Sequence, residues 1–337
     1  MAPIFHLFCT RGISAFGITV RRMITRRLIR IKILQIIFAY LFSDGKTVHA
    51  AEKDLFFSMH KFHELYHKML YLMVNLKRYA ESRIEIARSK KAPTYEDLHP
   101  NTRFIENQVI QQIEENKDLN AFVSSKKMDW SQQKEFIRDL YNALVEYDFY
   151  KEYMASQDHS YDADKELVIR IYDTLLPDFD PLFQQLEEQS IFWNDEVELV
   201  ISFILKAIRD LPEGEEGTLH YPLFKKEEDR EFAKQLFRKT IGHYEEFDQL
   251  IENNSRNWDL ERIAFMDILI MKMAITEILE FPSIPTKVTL DEYIELAKYY
   301  STEKSNVFIN GILDKVIAQL RSENRINKQG RGLIGEI

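Results

Sequence analysis

Three histidines and a glutamate between residues 60 and 67 have the types and spacing of a zinc site. The stretch HELYH sets His63 and His67 four residues apart, with Glu64 next to the first histidine. On a helix this spacing brings both imidazoles to one face, where they can bind zinc while the glutamate acts as a general base, as in metalloproteases. His60 lies on the same face. A metal centre is therefore the first hypothesis to weigh.

The surroundings of this motif argue against a catalytic zinc. Lys61 and Lys68 flank it, and no downstream glycine–histidine pattern supplies a third ligand. Glu81 or Glu85 would have to serve from the same helical run, and no strand is predicted that could hold a peptide substrate. We predict an ordinary helix without a resident metal, with adventitious metal binding as the alternative.

Other catalytic patterns are missing or out of context. GRGLIG at 330–335 spells the dinucleotide-binding glycine pattern, but only two residues follow it, whereas that motif needs a strand before it and a helix after it. The sequence contains no GxxxxGK[ST] phosphate loop and no GxSxG elbow. Cys9 is the only cysteine, so disulfides within the chain are excluded and a reducing compartment, the cytoplasm, is expected. We predict no enzymatic activity and no cofactor.

The strongest charge feature is RRMITRRLIR at residues 21–30, which holds five arginines and no acid. Residues 1–43 carry seven Lys or Arg and no carboxylate, or +7; since the whole chain carries −9, the remainder carries −16. This segregation points to an anionic partner. Arg26, Arg27 and Arg30 are spaced to share one helical face. We predict that they contact nucleic-acid phosphates, with a solubilising or targeting N-terminus as the alternative.

The hydrophobic periodicity is helical nearly everywhere and predicts an all-α fold. The apolar fraction of 45% allows a sizeable core, and the scarcity of glycine (ten) and proline (nine) disfavours turn-rich β architectures. We predict helices across 23–42 and 46–90 and a single helical stripe at 229–253. No apolar run approaches the ~18 residues that a membrane span requires, so no membrane association is expected.

The last third of the chain carries clear helix boundaries. Asn257 is predicted to cap an apolar central helix that Pro282 ends. Thr289 and Glu292 have the spacing of a capping box that opens the next helix. After Ser305 a further helix is predicted, with one apolar side formed by Ile309, Ile312, Leu313, Val316, Ile317 and Leu320.

Residues 128–225 concentrate acidity, with 22 Asp or Glu against 8 Lys or Arg. The resulting −14 repels nucleic acid. We interpret this region as a solvated helical face, with a docking surface for a basic partner as the alternative.

Residues 258–316 closely resemble the C-terminal half of the NusB family of bacterial transcription antitermination factors. The residues that carry the resemblance are the helix AITEIL, the run LDEYIELAK and the sequence FINGILDK. The stripe at 229–253 resembles the third NusB helix, and TRRLIRIKILQIIFAY resembles the first, arginines included. The resemblance covers roughly 24–43 and 229–320. It implies an all-helical protein of two small bundles packed together, without catalytic activity.

The resemblance also implies the partners. NusB proteins bind boxA-type RNA of ribosomal RNA operons as a heterodimer with NusE, a small-subunit ribosomal protein. This heterodimer acts in the RNA polymerase antitermination complex, which reads through terminators. We therefore expect this chain to bind single-stranded RNA and NusE and to act in transcription regulation.

Positions matching the family pattern suggest site residues. We expect RNA contacts from the start of the first helix and from the loop that enters the last helix, at Arg26, Arg27, Arg30, Tyr300, Ser301 and Lys304. Ser301 stands where a glycine is common, and Lys304 where an acid is often found, which favours RNA binding. The NusE interface is expected to include Phe38 and Asp267. One of Tyr299 and Tyr300 is expected to be buried.

The expected organisation has a large insertion that ordinary NusB proteins lack. We predict an N-terminal extension at 1–22 before a start at Met23, the first core helix at 23–45, an acidic helical insertion at 46–225, the remaining core at 226–321 and a flexible tail at 322–337. One rival hypothesis is a helical scaffold whose insertion binds proteins and whose core has lost RNA. The other, a fused ribosomal RNA cytosine-5 methyltransferase, needs cysteine nucleophiles and a nucleotide-binding sheet that this sequence lacks.

Overall fold

The computed structural model describes residues 25–194, 196–214, 219–224, 226–255, 263–302 and 304–334. Every regular element in these ranges is helical and none is a strand, which confirms the predicted all-α class. Asn257, the predicted cap of the central helix, lies outside the described residues, as do Arg21 and Arg22.

Fifteen α-helices occur in the described part of the chain. In chain order they are α1 (Arg26–Leu41), α2 (Val48–Arg88), α3 (Tyr95–Leu98), α4 (Gln108–Glu115), α5 (Lys117–Lys126), α6 (Lys134–Glu146), α7 (Asp148–Ala155), α8 (Tyr161–Arg170), α9 (Asp180–Gln189), α10 (Val197–Arg209), α11 (Glu227–Gly242), α12 (Tyr244–Asn254), α13 (Phe265–Glu280), α14 (Thr286–Tyr300) and α15 (Ser305–Ser322). None of the helices described is long and apolar enough to cross a membrane.

The chain divides into two compact units. The core unit consists of the described residues in 25–59 and 224–334, and the insert unit consists of those in 60–223. The insertion was predicted to begin at residue 46, but the start of α2 belongs to the core unit. The reason is side-chain pairing: Arg238 forms an ion pair with Glu52, and the rings of Phe56 and Phe224 meet edge to face with their centroids 6.2 Å apart.

Helix α13 lies at the centre of the core unit because it is apolar on almost every face. Every residue from Leu269 to Ile278 is buried, and α13 packs against α1, α11, α12, α14 and α15. The predicted apolar side of α15 is confirmed, since all six of its residues are buried.

Two local predictions in the core unit were wrong. The stripe at 229–253 forms two helices, because the chain leaves helical geometry at His243 (φ −106°, ψ 15°) after Gly242, a poor helix former. Helix α14 begins at Thr286, directly after Pro285, so Thr289 lies inside the helix instead of capping it. The Thr289 hydroxyl donates instead to the Glu277 carboxylate at 2.9 Å.

The insert unit is organised around the part of α2 that lies beyond residue 59. Aromatic side chains pack on this helix, and their polar atoms donate to its backbone carbonyls. Trp130 Nε1 donates to the carbonyl of Lys68 at 2.9 Å, and the Tyr172 hydroxyl donates to that of Met69 at 2.8 Å. These bonds satisfy polar atoms that would otherwise be costly to bury.

The described residues of the tail are attached to the core unit, in contrast to the flexible tail predicted at 322–337. Lys328 Nζ donates to the carbonyls of Ile278 and Phe281 at 2.9 and 3.2 Å, near the C-terminus of α13, where a cation is favoured. Gly332 packs against the backbone of Pro282 so closely that an added Cβ would lie 1.9 Å from the Pro282 carbonyl oxygen.

Candidate nucleic-acid interface

The three predicted arginines lie on the first two turns of α1. The Thr25 side chain caps this helix by accepting a hydrogen bond from the Leu28 N–H at 3.2 Å. Arg26 and Arg27 therefore lie in the first turn, and Arg30 follows one turn later. Their surroundings differ strongly.

Arg30 is buried, with only 3% of its side chain exposed. Its guanidinium forms two hydrogen bonds with the fully buried carboxylate of Glu277, at 2.7 and 2.6 Å, and a third with Glu292 at 3.3 Å. Burial alone would lower the pKa of Arg30, but the charge and hydrogen bonds of Glu277 outweigh it and raise this pKa above its ordinary value. The Tyr293 hydroxyl also donates to Glu277, at 3.2 Å. Arg30 thus joins α1 to α13 and α14.

Arg27 is more accessible, with 28% of its side chain exposed. Its guanidinium donates to both carboxylate oxygens of Glu292 on α14, at 2.9 and 2.7 Å. The hydrogen bond from Arg27 to Glu292 raises the pKa of Arg27. The cation is therefore partly at the surface and already opposed by an acid.

Arg26 is the most exposed of the three, at 36% of its side chain. Its Nε lies 3.4 Å from a carboxylate oxygen of Asp229 on α11, and its guanidinium lies over the Phe232 ring, 4.9 Å from the centroid. The aromatic contact holds the cation at the surface.

The end of α14 lies beside α1. Gln35 Nε2 donates to the Tyr300 hydroxyl at 3.5 Å, while Arg27 pairs with Glu292. Both helices advance eight residues between these two contacts, so they run side by side in the same direction, and the contacts lie about 12 Å apart along the helices. The predicted arginines and the predicted loop therefore belong to one edge of the core unit.

The aromatic pair at the end of α14 differs from the prediction. Tyr299 is 36% exposed, and Tyr300 is half-buried, so neither is buried. Both side chains are partly accessible beside the loop that enters α15. Lys304, at the N-terminus of α15, is exposed.

Asp267 and Ser301 form a polar cluster beneath this loop. Asp267 is buried at 5% exposure, and its carboxylate accepts hydrogen bonds from the hydroxyls of Ser301 and Ser305, the second at 2.9 Å. Ser305 also bonds to Thr302 at 2.7 Å. Asp267, expected at a partner interface, thus holds the loop that carries Lys304 instead of facing outward.

Phe38 belongs to an aromatic patch on the core unit, formed by Phe38, Phe42 and Phe265. Its ring lies 4.8 Å from that of Phe42 and 5.7 Å from that of Phe265, centroid to centroid. Phe38 and Phe265 are half-buried, whereas Phe42 is 61% exposed. An exposed phenylalanine supported by two others is a surface suited to a protein partner.

The structure also brings a third histidine to the HELYH motif. One ring nitrogen from each of His63, His67 and His220 lies within 4.8 Å of the other two. Glu64 takes no part, since its carboxylate pairs with Lys61 at 2.7 Å. The motif gave no sign of His220, because a helical spacing points only to ligands in the same run, and His220 lies 153 residues beyond His67.

Comparison with known proteins relates the chain to one family. The sequence model of the NusB family matches residues 201–318. The transcription antitermination protein NusB of Salinibacter ruber is 43% identical over 126 residues, which are 37% of this chain and 79% of that protein. The NusB proteins of Chloroherpeton thalassium and Natranaerobius thermophilus are 38% and 41% identical over 105 and 90 residues, which cover 31% and 27% of this chain and 50% and 65% of theirs. No solved structure matches the chain significantly.

The fold defines an all-α protein made of a core unit and an insert unit. The chain belongs to the NusB family. The family match begins at residue 201, upstream of the boundary predicted at 226, and it does not include α1. Most of the insert unit therefore lies outside the residues that the family model matches.

Proposed function

We propose that this protein is a non-enzymatic transcription antitermination factor of the cytoplasm. It would bind boxA-type single-stranded RNA of ribosomal RNA operons together with NusE and help RNA polymerase to read through terminators. Family membership carries this proposal, because the relatives from all three bacteria are named transcription antitermination proteins.

The proposed RNA surface is the edge formed by α1 and the end of α14. Arg26 and Arg27 supply guanidiniums at one end, and Tyr300 and Lys304 lie toward the other. Guanidiniums and ammonium groups contact phosphates, and an exposed aromatic face can stack an unpaired base. Lys304 adds a cation at a helix N-terminus, where the macrodipole already favours an anion.

Two of the predicted residues take supporting roles in this proposal. Arg30 is committed to a buried carboxylate and positions α1 without touching RNA. Ser301 bonds to Asp267 and fixes the start of the loop that follows Tyr300.

The acids beside the arginines predict weak RNA binding by this chain alone. Asp229 and Glu292 neutralise Arg26 and Arg27 in the free protein, so RNA phosphates must compete with carboxylates that are already in place. Few phosphate contacts remain, and a second protein is needed to add others. This expectation agrees with a heterodimer as the binding species.

The proposed NusE surface is the aromatic patch of Phe38, Phe42 and Phe265. Phe42 presents its ring to solvent on a platform made by the other two. Asp267 is left out of this surface because it is buried beneath the loop before α15.

The test is fluorescence anisotropy of a short boxA-like RNA, titrated with the full chain across a salt series, with and without NusE. A scrambled RNA of equal length is the control. We expect sequence-selective binding that tightens with NusE. Equal or absent binding to both RNAs in the presence of NusE would contradict the proposal.

A matched pair of variants locates the RNA surface. Arg27→Gln removes a proposed phosphate contact and should weaken binding on the order of five-fold, or about 1 kcal/mol, and lower the slope of log affinity against log salt by ~0.7. Glu292→Gln removes the competing acid and should strengthen binding. If both variants shift the affinity in the same direction, or neither does, the surface lies elsewhere.

A second candidate function is a helical scaffold that has lost RNA binding. The insert unit favours it by exposing Ile86, Tyr95 and Leu98 at 64%, 76% and 50% near the end of α2 and on α3. Such a protein would give no NusE-dependent RNA binding in the same titration.

A further inference from the structure

We propose that His63, His67 and His220 bind one zinc ion that fastens the segment 219–223 to α2 in the insert unit. This site is independent of the proposed RNA surface, which belongs to the core unit. It differs from the hydrolase motif considered in the sequence, because the third ligand is a histidine from a distant segment and Glu64 is not involved.

The distances among the three histidines fit a metal site. Zinc bound tetrahedrally to imidazole nitrogens at about 2.05 Å places those nitrogens roughly 3.3 Å apart. Here His67 Nε2 and His220 Nδ1 are 2.9 Å apart, and one nitrogen of each of the three imidazoles lies within 4.8 Å of the other two. These separations bracket the distance that a three-histidine zinc site needs, with one coordination position left open.

Backbone carbonyls fix which nitrogen carries the hydrogen in two of the rings. The Nε2 of His63 lies 2.6 Å from the Tyr221 carbonyl oxygen, and Nδ1 of His67 lies 2.7 Å from the His63 carbonyl oxygen. Because a carbonyl oxygen only accepts, these two nitrogens carry the hydrogens. Nδ1 of His63 and Nε2 of His67 then keep their lone pairs. The lone pair of His67 accepts a hydrogen bond from His220 Nδ1 at 2.9 Å, so zinc binding would move the hydrogen of His220 to its Nε2. Metal-ligating histidines usually donate their other N–H in this way.

The surroundings of the histidines are those of a buried site with one accessible side. His63 and His67 are 6% and 0% exposed, and the ring of Phe122 packs on all three imidazoles, at 4.8, 4.3 and 5.2 Å between centroids. Burial lowers the pKa of His63 to about 4 and that of His67 to about 2, so both rings are neutral. His220 is half-buried and offers an entry path.

Tyr66, whose ring packs against His67, carries a buried hydroxyl without a partner in the described part of the chain. The Tyr66 ring packs edge to face against that of His67 at 5.0 Å, and its buried hydroxyl has no hydrogen-bond partner among the described residues. A buried polar group without a partner costs free energy.

The arrangement favours a structural role for the ion. Two ligands come from α2, and the third comes from a segment whose neighbouring residues Leu219 and Tyr221 are themselves buried. The ion would thus link residues separated by 153 positions in the chain. Three imidazole nitrogens suit zinc among the common divalent metals of proteins, whereas magnesium and calcium prefer oxygen ligands.

The first experiment measures zinc binding by the full chain after removal of metal with a chelator. We expect saturation at one equivalent by elemental analysis and by competition with a zinc-sensitive dye. His220→Ala should weaken the affinity at least on the order of 100-fold. The matched control, His60→Ala, removes an exposed histidine one turn away on α2 and should leave the affinity unchanged within about three-fold. Circular dichroism shows whether each variant keeps its helices.

A second variant decides the question even if His220→Ala fails to fold. His220→Cys keeps a metal-binding side chain, and with Co²⁺ in place of zinc it should show a thiolate-to-cobalt charge-transfer band that the wild-type chain lacks. Zinc should also slow amide hydrogen exchange in the segment 219–223, and a chelator should reverse this effect. Absence of zinc binding by the wild-type chain, equal affinity of His220→Ala, or a Co²⁺ spectrum unchanged by His220→Cys would each overturn the proposal.

Discussion

The variant Arg30→Met tests whether Arg30 stabilises the core unit or binds RNA. Arg30→Met removes three hydrogen bonds and leaves the Glu277 carboxylate, 0% exposed, with only the hydroxyls of Thr289 and Tyr293 as donors. Breaking a buried ion pair from one side costs about 3–5 kcal/mol. For a unit of roughly 150 residues this corresponds to a fall in melting temperature of about 10 °C.

Arg27→Met is the matched control. The same change of residue type, three positions earlier, breaks an ion pair whose arginine is 28% exposed and should cost no more than about 1 kcal/mol. The double variant Arg30→Met with Glu277→Gln leaves no buried unpaired charge. It should therefore recover part of the stability that Arg30→Met loses.

The assay must report on the core unit, because a chain of two units need not unfold in one step. Thermal unfolding followed by circular dichroism gives the overall change, and hydrogen exchange of peptides from α1, α13 and α14 localises it. RNA anisotropy is measured on the same samples. A structural role for Arg30 is refuted if Arg30→Met is as stable as the wild type within about 1 kcal/mol and loses RNA affinity to the same extent as Arg27→Met.

The remaining predictions concern the loop, the partner surface and the insert unit. Asp267→Ala removes the acceptor of the half-buried Ser301 hydroxyl and of the buried Ser305 hydroxyl, so it should speed hydrogen exchange around Ser301 and Ser305 while lowering RNA affinity; unchanged exchange there would contradict the role assigned to Asp267. Phe42→Ser should weaken NusE binding in calorimetry without altering helix content, whereas an unchanged dissociation constant would remove the aromatic patch from that interface. Replacing 60–223 by a short Gly–Ser linker should keep RNA binding with NusE, because Phe56 and Phe224 are in contact and the cut ends are close; loss of binding by a folded product would assign RNA contacts to the insert unit.

Much of the fold could be predicted because the sequence pattern of a helix depends only on residues that are close together in the chain. The apolar residues of α15 recur every three or four positions, and α13 is mostly apolar along its whole length, so both helices can be recognised from neighbouring positions alone. The errors arose where a local signal was incomplete. Thr289 and Glu292 have capping-box spacing, but the helix begins earlier, directly after Pro285. The sequence around Glu52 contains no sign that the start of α2 pairs with α11 in the core unit.

The sequence by itself determined the helical class, the family resemblance and the collection of positive charge at the start of α1. Tertiary structure alone decided which charges remain at the surface, because burial depends on partners far away in the chain. Arg27 and Arg30 look equivalent by spacing, yet Arg30 meets Glu277, 247 residues later, in the interior of the core unit. His220 reaches His67 in the same way across 153 residues. Periodicity records which residues share a face of one helix, and only packing determines what that face meets.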